Sequence, residues 1–454
     1  MPQSTLGSLL QCPRCRRAVP AATAAELHCG DCNSRFPLLD GIPWLFPEPL
    51  QSLAEWRNRL ALYLEEFAAA GRATDADLTQ RCSPTTQARL ALLAEAYREQ
   101  RRLVAELLSP LTLTTTALTQ ATQLATATRL PRSQDLHSYY ANLHRDWVWG
   151  EEENRRSLEL VAAALGPPRE RVLVLGAGAC RLAYDLHQAG TQPLTVALDI
   201  NPLLLLTAAR LLRGERVALY EFPLAPRALG DAARRRELAA PTVPRAGLEL
   251  VFADAWNAPF AAQSFDAVIT PWLVDIVELD FDSIALHVNR LLTPGGRWVS
   301  FGSLAFPWRR PALRLSCEEV GESISASGFE IAAVTEASLP YMRSPASRHA
   351  RIEEVVVYAA DKLRRAPREP APSAEPEWLC DTRLPIPRTP ALQLATDASR
   401  IQAVLLGLID GQRSVEALAQ IVAAEGLLPP DQAHSAVLGL LARLEADARR
   451  GGIP

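Results

Sequence analysis

Between residues 50 and 130 the apolar positions recur every three or four residues. They run through Trp56, Leu60, Tyr63 and Phe67 and again from 90 to 108, the period of helices that bury one face. The stretch 111–128, rich in Thr, Ala and Leu, follows neither the helical nor the strand period. From 131 to 365 short continuous apolar runs alternate with amphipathic stretches, the pattern of a parallel sheet covered by helices. Residues 366–384 are rich in Pro, Arg, Glu and Ala without apolar periodicity and read as a linker. Helical spacing returns over 385–450: a helix, an Asp410-Gly411 turn, a helix opened by Ser414 and Glu416, a break at Pro429-Pro430 and a last helix. Residues 1–48 are too short to bury a core of their own and end in a proline-rich exit. Five parts follow: 1–48, 50–130, 131–365, 366–384 and 385–450.

Two CxxC pairs, Cys12/Cys15 and Cys29/Cys32, lie in the first part with 13 residues between them. Each pair turns two thiolates toward one point, and together they complete a tetrahedral S4 set that closes the coordination sphere. This predicts a structural Zn2+ supplying much of the segment's folding free energy. Four unrelated buried cysteines are the alternative. Such a ribbon is expected to lie outside the sheet. The other four cysteines are scattered, which fits metal binding in a reducing cytoplasm better than a disulfide framework. Residues 1–11 lack a basic start followed by a long apolar stretch, and no apolar run reaches the ~18 residues that span a bilayer. A cytoplasmic protein without a membrane partner is expected. A net charge of −4 gives no general electrostatic case for nucleic acid.

The run RVLVLGAGAC at 171–180 is a buried strand entering a glycine-rich turn. Gly176 suits the tight turn, and Gly178 lets a ligand approach the backbone. A helix from Arg181 would offer its unpaired N–H groups there. The strand 195–199 ends in Asp199, 23 residues after Gly176, the spacing at which a strand-end acid meets a ribose diol. A third strand, 248–252, leads to Asp254, where adenine contacts are expected. SFDAVI at 264–269 is a fourth strand, and LLTPGGRWVS at 291–300 is a helix end, a turn and a fifth strand. In this order the elements predict an S-adenosyl-L-methionine site on an α/β, seven-stranded Rossmann-like sheet of the class I methyltransferase type. The expected cofactor contacts are Arg145, Trp147, Gly176, Ala177, Gly178, Arg181, Asp199, Ile200, Asn201, Asp254, Ala255, Trp256 and Thr270. A nicotinamide site is the rival, but Arg181 stands where its third glycine would be, and LxPGG has no role there.

Several segments carry a closer likeness. HSYYANLHRDW at 137–147 with the following 151–156, LGAGACRLAY at 175–184, TPWLVD at 270–275 and FGSLAFPW at 301–308 resemble segments of the carnosine N-methyltransferase-like family, over about 135–361. The resemblance implies methylation of a ring nitrogen in a histidine-containing small molecule or peptide. It implies that Asp275 accepts the N–H of the acceptor azole; a helix N-cap before Ile276 is the other reading of that residue. It places Tyr341 and His349 in an insertion that covers the acceptor. Arg145 either grips the cofactor's carboxylate or pairs with the acids at 151–153, and Trp147, Trp149 and Trp272 either wall the sulfonium or pack the core. Two positions depart from the family: Cys180 replaces a glycine, and Pro307 falls where the family has a substrate-side histidine. The second makes carnosine doubtful as the acceptor, and His349 is the candidate to compensate.

The segment 33–46 resembles zinc ribbons of small methyltransferase-activating proteins and of some RNA methyltransferases. LIDGQRSVEALA, residues 408–419, resembles the small winged-helix peptide-binding domain of the pyrroloquinoline quinone pathway, which implies a protein or peptide partner for 385–450; an oligomerisation cap is the alternative. The expected activity is methyl transfer from S-adenosylmethionine to a nitrogen of a small molecule or peptide. An RNA methyltransferase is the second reading, but Thr270-Pro271-Trp272-Leu273 lacks the Asn/Asp-Pro-Pro-aromatic tetrad of base-amine methylation. A non-catalytic scaffold is the third, and intact Gly176, Gly178 and Asp199 argue against it.

Overall fold

The computed structural model describes residues 6–19, 21–23, 25–113, 136–277, 279–307, 310–366, 378 and 384–450. The expectations placed on 114–135, Trp308 and most of the linker lie outside these residues. The chain divides into two compact units, Met1–Pro372 and Ser373–Pro454.

The first unit opens with four short antiparallel strands, β1 (Ala21–Ala22), β2 (Glu26–His28), β3 (Arg35–Leu39) and β4 (Ile42–Pro43), in that spatial order. Two long helices follow, α1 (Pro49–Leu78) and α2 (Pro84–Leu107), packed on each other. Each starts with a proline in its first turn, where a missing N–H costs nothing. Trp56, Leu60, Tyr63 and Phe67 are all buried, as their spacing predicts, and share a core with Val104 and Leu107. Next come α3 (Leu136–His144), one π-turn at Arg145–Trp149, and α4 (Glu151–Leu165).

Seven strands then build one sheet: β5 (Arg171–Leu175), β6 (Leu194–Asp199), β9 (Leu248–Phe252), β10 (Phe265–Pro271), β11 (Leu292–Gly302), β12 (Phe329–Tyr341) and β13 (Arg351–Lys362). The hairpin β7 (Val217–Glu221) and β8 (Arg234–Leu238) stands apart as an insertion. The sheet order is β12-β13-β11-β10-β5-β6-β9. The strands β11, β10, β5, β6 and β9 are parallel, and β13 runs antiparallel between β11 and β12. This mixed sheet, with α5 (Arg181–Ala189), α6 (Pro202–Leu212), α7 (Phe281–Leu291) and α8 (Cys317–Ala326) between its strands, is the class I methyltransferase architecture. Val172, Leu173, Val174 and Leu175 are fully buried because both sheet faces are covered, so the strand reads as a continuous apolar run. The Pro294-Gly295-Gly296 turn lies inside β11 as an irregularity: pairing with β10 passes from Phe265–Leu292 to Ala267–Arg297, with Gly295 at φ 72°.

From β5 the chain fills one side through β6 and β9, then crosses to β10 on the other. The crevice at the carboxyl ends of β5 and β10 is therefore the topological switch point, where open α/β sheets take their ligands.

The ribbon's strands form a sheet of their own, outside the seven-stranded one, but its exit packs against that sheet's edge. Trp44 forms a parallel bridge with Phe252, and Leu45 N donates to Phe252 O at 2.8 Å, so the ribbon's exit covers the outer edge of β9. Pairing an exposed edge removes a template for aggregation. Leu9, Leu10, Phe36 and Leu45 share a core with Val251, Phe260 and Phe265.

The second unit contains α9 (Pro390–Gly407), α10 (Val415–Ala424) and α11 (Pro430–Arg450) around Leu405, Leu418, Ala419, Val422, Ala433 and Val437. Its turn chemistry follows the sequence: Asp410 Oδ1 accepts Gln412 N and Arg413 N, both at 2.9 Å, and Ser414 caps α10 by accepting Ala417 N. Among the described residues this unit has no strand.

Candidate methyl-transfer site

Four strand ends and the π-turn converge on the switch point. After β5 the chain passes Gly176 at φ 68°, Gly178 at φ 58° and Cys180 at φ 66° before entering α5. A side chain at Gly176 would come within 2.7 Å of Leu273, so this turn closes only around glycine. A Cβ on Gly178 would meet nothing within 4 Å: its face is open, as a backbone approached by a ligand requires. Cys180 holds a left-handed conformation that favours glycine, which gives the family's glycine at this position a physical reason. Its thiol is buried, and burial, followed by Asp199 and Asp146, pushes its pKa well above the ordinary range. It stays protonated.

Asp199 ends β6 and faces that turn. Its Oδ2 accepts Gly178 N at 2.7 Å and its Oδ1 accepts Asn201 N at 2.8 Å. A carboxylate offers about four acceptor positions, so a diol can still be bound. Burial raises the Asp199 pKa to about 6 against the pull of the backbone amides of Asn201, Gly178 and Ile200. Ile200, the next residue, is 45 % exposed although large and apolar, a surface on which a flat ring could lie. Asn201 caps α6 by accepting Leu203 N at 3.0 Å.

After β9, Asp254 opens a single turn by accepting Trp256 N at 2.9 Å. Ala255 and Trp256 are nearly buried, and Trp256 Nε1 is buried without a partner. A desolvated donor of this kind is costly unless a ligand or water meets it. An open glycine backbone, an acid at the second strand end and an apolar ledge suit a nucleoside with a charged tail, which is the form of S-adenosylmethionine.

The residues expected from the amino-terminal side act mainly as supports. Trp147 donates Nε1 to Ala179 O at 2.9 Å, anchoring the glycine turn from behind. Arg181 lies over the Trp147 ring at 5.4 Å, bonds Asp185 through Nε and donates to Asp146 O at 2.7 Å. Arg145 is 14 % exposed and paired through Nε with the buried Asp146 at 2.7 Å and Glu153 at 3.5 Å, a largely enclosed ion pair rather than an exposed one. Burial opposes its charge, but Asp146, Tyr341 and Glu153 outweigh it and hold the pKa above the ordinary guanidinium range. Burial raises the Glu153 pKa despite Arg145, and Glu153 also accepts Met342 N at 3.0 Å. Glu153 is one of the acids at 151–153 expected as partners of Arg145, whereas Asp146 carries no motif that marks it. Thr270 is fully buried with its hydroxyl accepting Trp298 Nε1 at 3.0 Å, so its side chain serves the core instead of a cofactor.

On the acceptor side, Asp275 is 5 % exposed and its Oδ2 accepts Ser303 Oγ at 3.0 Å and Ala305 N at 2.9 Å. It ties the loop after β10 to the loop after β11. It does not cap a helix; α7 begins at Phe281 and is capped by Asp280. Trp272 packs on Phe301 and on Tyr341, ring centres 5.4 and 4.8 Å apart, and Arg145 and Arg351 lie 5.7 and 4.5 Å from the Tyr341 ring centre. His349 and Pro307 are both exposed. The backbone contacts of the His349 segment run to Ala225, Pro226 and Arg227, beyond β7, which does not bring the imidazole to Asp275.

In the ribbon, the Sγ atoms of Cys12, Cys15, Cys29 and Cys32 all lie within 4.8 Å of one another, with Cys12–Cys32 and Cys15–Cys29 at 3.5 Å. A tetrahedral S4 zinc with bonds of ~2.3 Å has sulfur–sulfur edges of about 3.8 Å, so the donor set and its spacing fit.

Residues 173–300 match a family model described as a methyltransferase domain. No curated protein matches the chain. Among solved structures, the chain is 15 % identical to a Thermotoga maritima methyltransferase described as a possible histamine N-methyltransferase, over 50 % of this chain and 94 % of that one, with a TM-score of 0.30. It is 15 % identical to a chain from the complex of the Haloferax volcanii Trm112 methyltransferase activator with its methyltransferase, over 51 % and 99 %, at 0.35. It is 15 % identical to the cyclase SpnF over 52 % and 97 %, at 0.35. The domain match spans β5 to β11, the strands that carry the glycine turn, Asp199 and Asp254, and this part of the chain is a methyltransferase domain of the S-adenosylmethionine-dependent type.

Proposed function

We propose that the protein transfers the methyl group to a ring nitrogen, of the imidazole type, in a small molecule or peptide. The observation that carries this reading is the buried carboxylate of Asp275 in the loop after β10, beside the switch point. Its Oδ2 is engaged by Ser303 and Ala305, and Oδ1 takes part in neither bond. An oxygen so held can accept an azole N–H, fix the tautomer and aim the other nitrogen's lone pair at the methyl carbon. Trp272 and Tyr341 support a flat, weakly basic acceptor. Asp199, Ile200 and the Asp254–Trp256 turn would hold the ribose and adenine.

Bound S-adenosylmethionine supplies an electrophilic methyl on a sulfonium. The chain's part is orientation and exclusion of water, which suits an in-line displacement by a neutral nitrogen that needs no strong base. The four thiolates would hold one structural zinc, and the carboxyl-terminal helical unit would recruit a peptide or protein partner.

Asp275→Asn tests the acceptor role. Asparagine keeps one oxygen for Ser303 and Ala305, so the loop tie survives, while the second position becomes an N–H donor that repels an azole N–H. With an accepted imidazole substrate, turnover should fall by roughly 100-fold or more with S-adenosylmethionine affinity unchanged. Turnover near wild type would refute the role.

A further inference from the structure

The ribbon reaches the turn proposed to hold the adenine. Gln11 N donates to Pro259 O at 2.8 Å and Ala261 N to Leu9 O at 3.0 Å, with Leu10 bridged antiparallel to Phe260. Arg16, the residue after Cys15, donates Nη1 to Ala258 O at 3.2 Å and Nη2 to Asn257 Oδ1. Asn257 in turn closes the turn that Asp254 opens, its N donating to Asp254 O at 3.1 Å. Arg290 of α7 donates to Phe260 O at 2.9 Å and to the same Ala258 O at 3.3 Å. The segment 254–261 is thus held by two guanidinium groups, one on the sheet's own helix and one on the ribbon.

We propose that Arg16 is a positioning residue for the cofactor: by holding Asn257 and Ala258 it sets the place of the Asp254–Trp256 turn, and so makes the ribbon a brace for the adenine end of the site. The proposal rests on the reading of Asp254 and Trp256 as cofactor contacts. The physical reason lies in preorganisation. The turn sits beyond the end of β9 and is not part of the sheet's ladder. Without Arg16 the ribbon would still hold 259–261 through Leu9 and Gln11, but Asn257 would lose its side-chain anchor, and binding would have to order the turn, a cost that appears as lost affinity. Arg16 does not reach the nucleotide contacts itself; it acts through Asn257. A zinc held by the four thiolates would fix Cys15 and with it the start of this chain of contacts.

The test is calorimetric titration of full-length, zinc-loaded protein with S-adenosylmethionine, with zinc content measured for each variant. Arg16→Ala removes the brace from the ribbon side and Asn257→Ala removes its acceptor from the other. Each should weaken binding by roughly tenfold while about one zinc per chain remains. The double variant Arg16→Ala/Asp254→Ala should bind no more weakly than Asp254→Ala alone, because both act through one turn. Wild-type affinity in Arg16→Ala and Asn257→Ala, with Asp254→Ala weakened, would overturn the brace alone, as would losses that simply add in the double variant. Wild-type affinity in Asp254→Ala would instead overturn the cofactor reading of the turn, and the proposal with it. Should Arg16→Ala lose its zinc, Asn257→Ala, which leaves the ribbon's own residues untouched, decides.

Discussion

Asp199 combines two demands that pull its charge in opposite directions. Burial favours the neutral acid and raises its pKa to about 6, whereas the two ribose hydroxyls it is proposed to bind would favour the carboxylate. The stability contribution of a raised acid is present below its unfolded pKa and is lost as pH rises through about 6, so the free protein bears a cost from this charge at neutral pH. Cofactor binding has the opposite sense. Below pH about 6 the acid must release a proton to bind, so S-adenosylmethionine affinity should fall toward tenfold per pH unit and binding should release protons to the buffer. Calorimetry in buffers of different ionisation enthalpy checks this; a flat affinity between pH 5 and 7 would show that Asp199 is not the titrating contact. The spacing from Gly176 made Asp199 legible without a structure. Cys180 was legible only as a departure from a family pattern, because its left-handed backbone leaves no mark on a side chain that any strand could carry. Asp275 was singled out through the likeness of TPWLVD to a family segment, but its bonds to Ser303 and Ala305 join loops 28 and 30 residues apart in sequence, and no local pattern announces such a tie.

At the scale of elements, apolar period carried the reading far. Leu60 lies on the face of α1 predicted from the spacing and is 0 % exposed in the shared core. Leu60→Ala should therefore destabilise the first unit by about 2–5 kcal/mol, seen as a lower denaturation midpoint; a change below ~0.5 kcal/mol would place that face outside the core. The central strands β5 and β10 were readable for a related reason: buried on both faces, they are nearly uninterrupted apolar runs, whereas β12, mostly exposed along Phe329–Tyr341, lacks that mark. The hairpin β7–β8 was not foreseen. Its second strand, Arg234–Leu238, carries three consecutive arginines, and only β7 pairs with it, so it lacks the apolar run that marks the others. The π-turn at Arg145–Trp149 escaped as well, since a one-residue widening of a helix has no composition of its own.

For the molecule as a whole, the sequence order of parts concealed how they combine. The ribbon reads as a separate module because its cysteines are local, yet its exit strand covers β9 and its first knuckle grips the turn beyond it. Contacts spanning more than 240 residues carry no periodic signal. No described helix is long and apolar enough to cross a membrane. The account's central claim is that the switch-point crevice binds S-adenosylmethionine through the glycine turn and Asp199. The most direct measurement is a calorimetric titration of the zinc-loaded wild type and of Asp199→Ala with S-adenosylmethionine. One site per chain in the wild type, weakened by roughly ten- to a hundredfold in a folded Asp199→Ala, is the predicted result, since a charge-assisted pair contributes ~1.5–3 kcal/mol. No binding by folded wild type, or equal affinity in the two proteins, would contradict it.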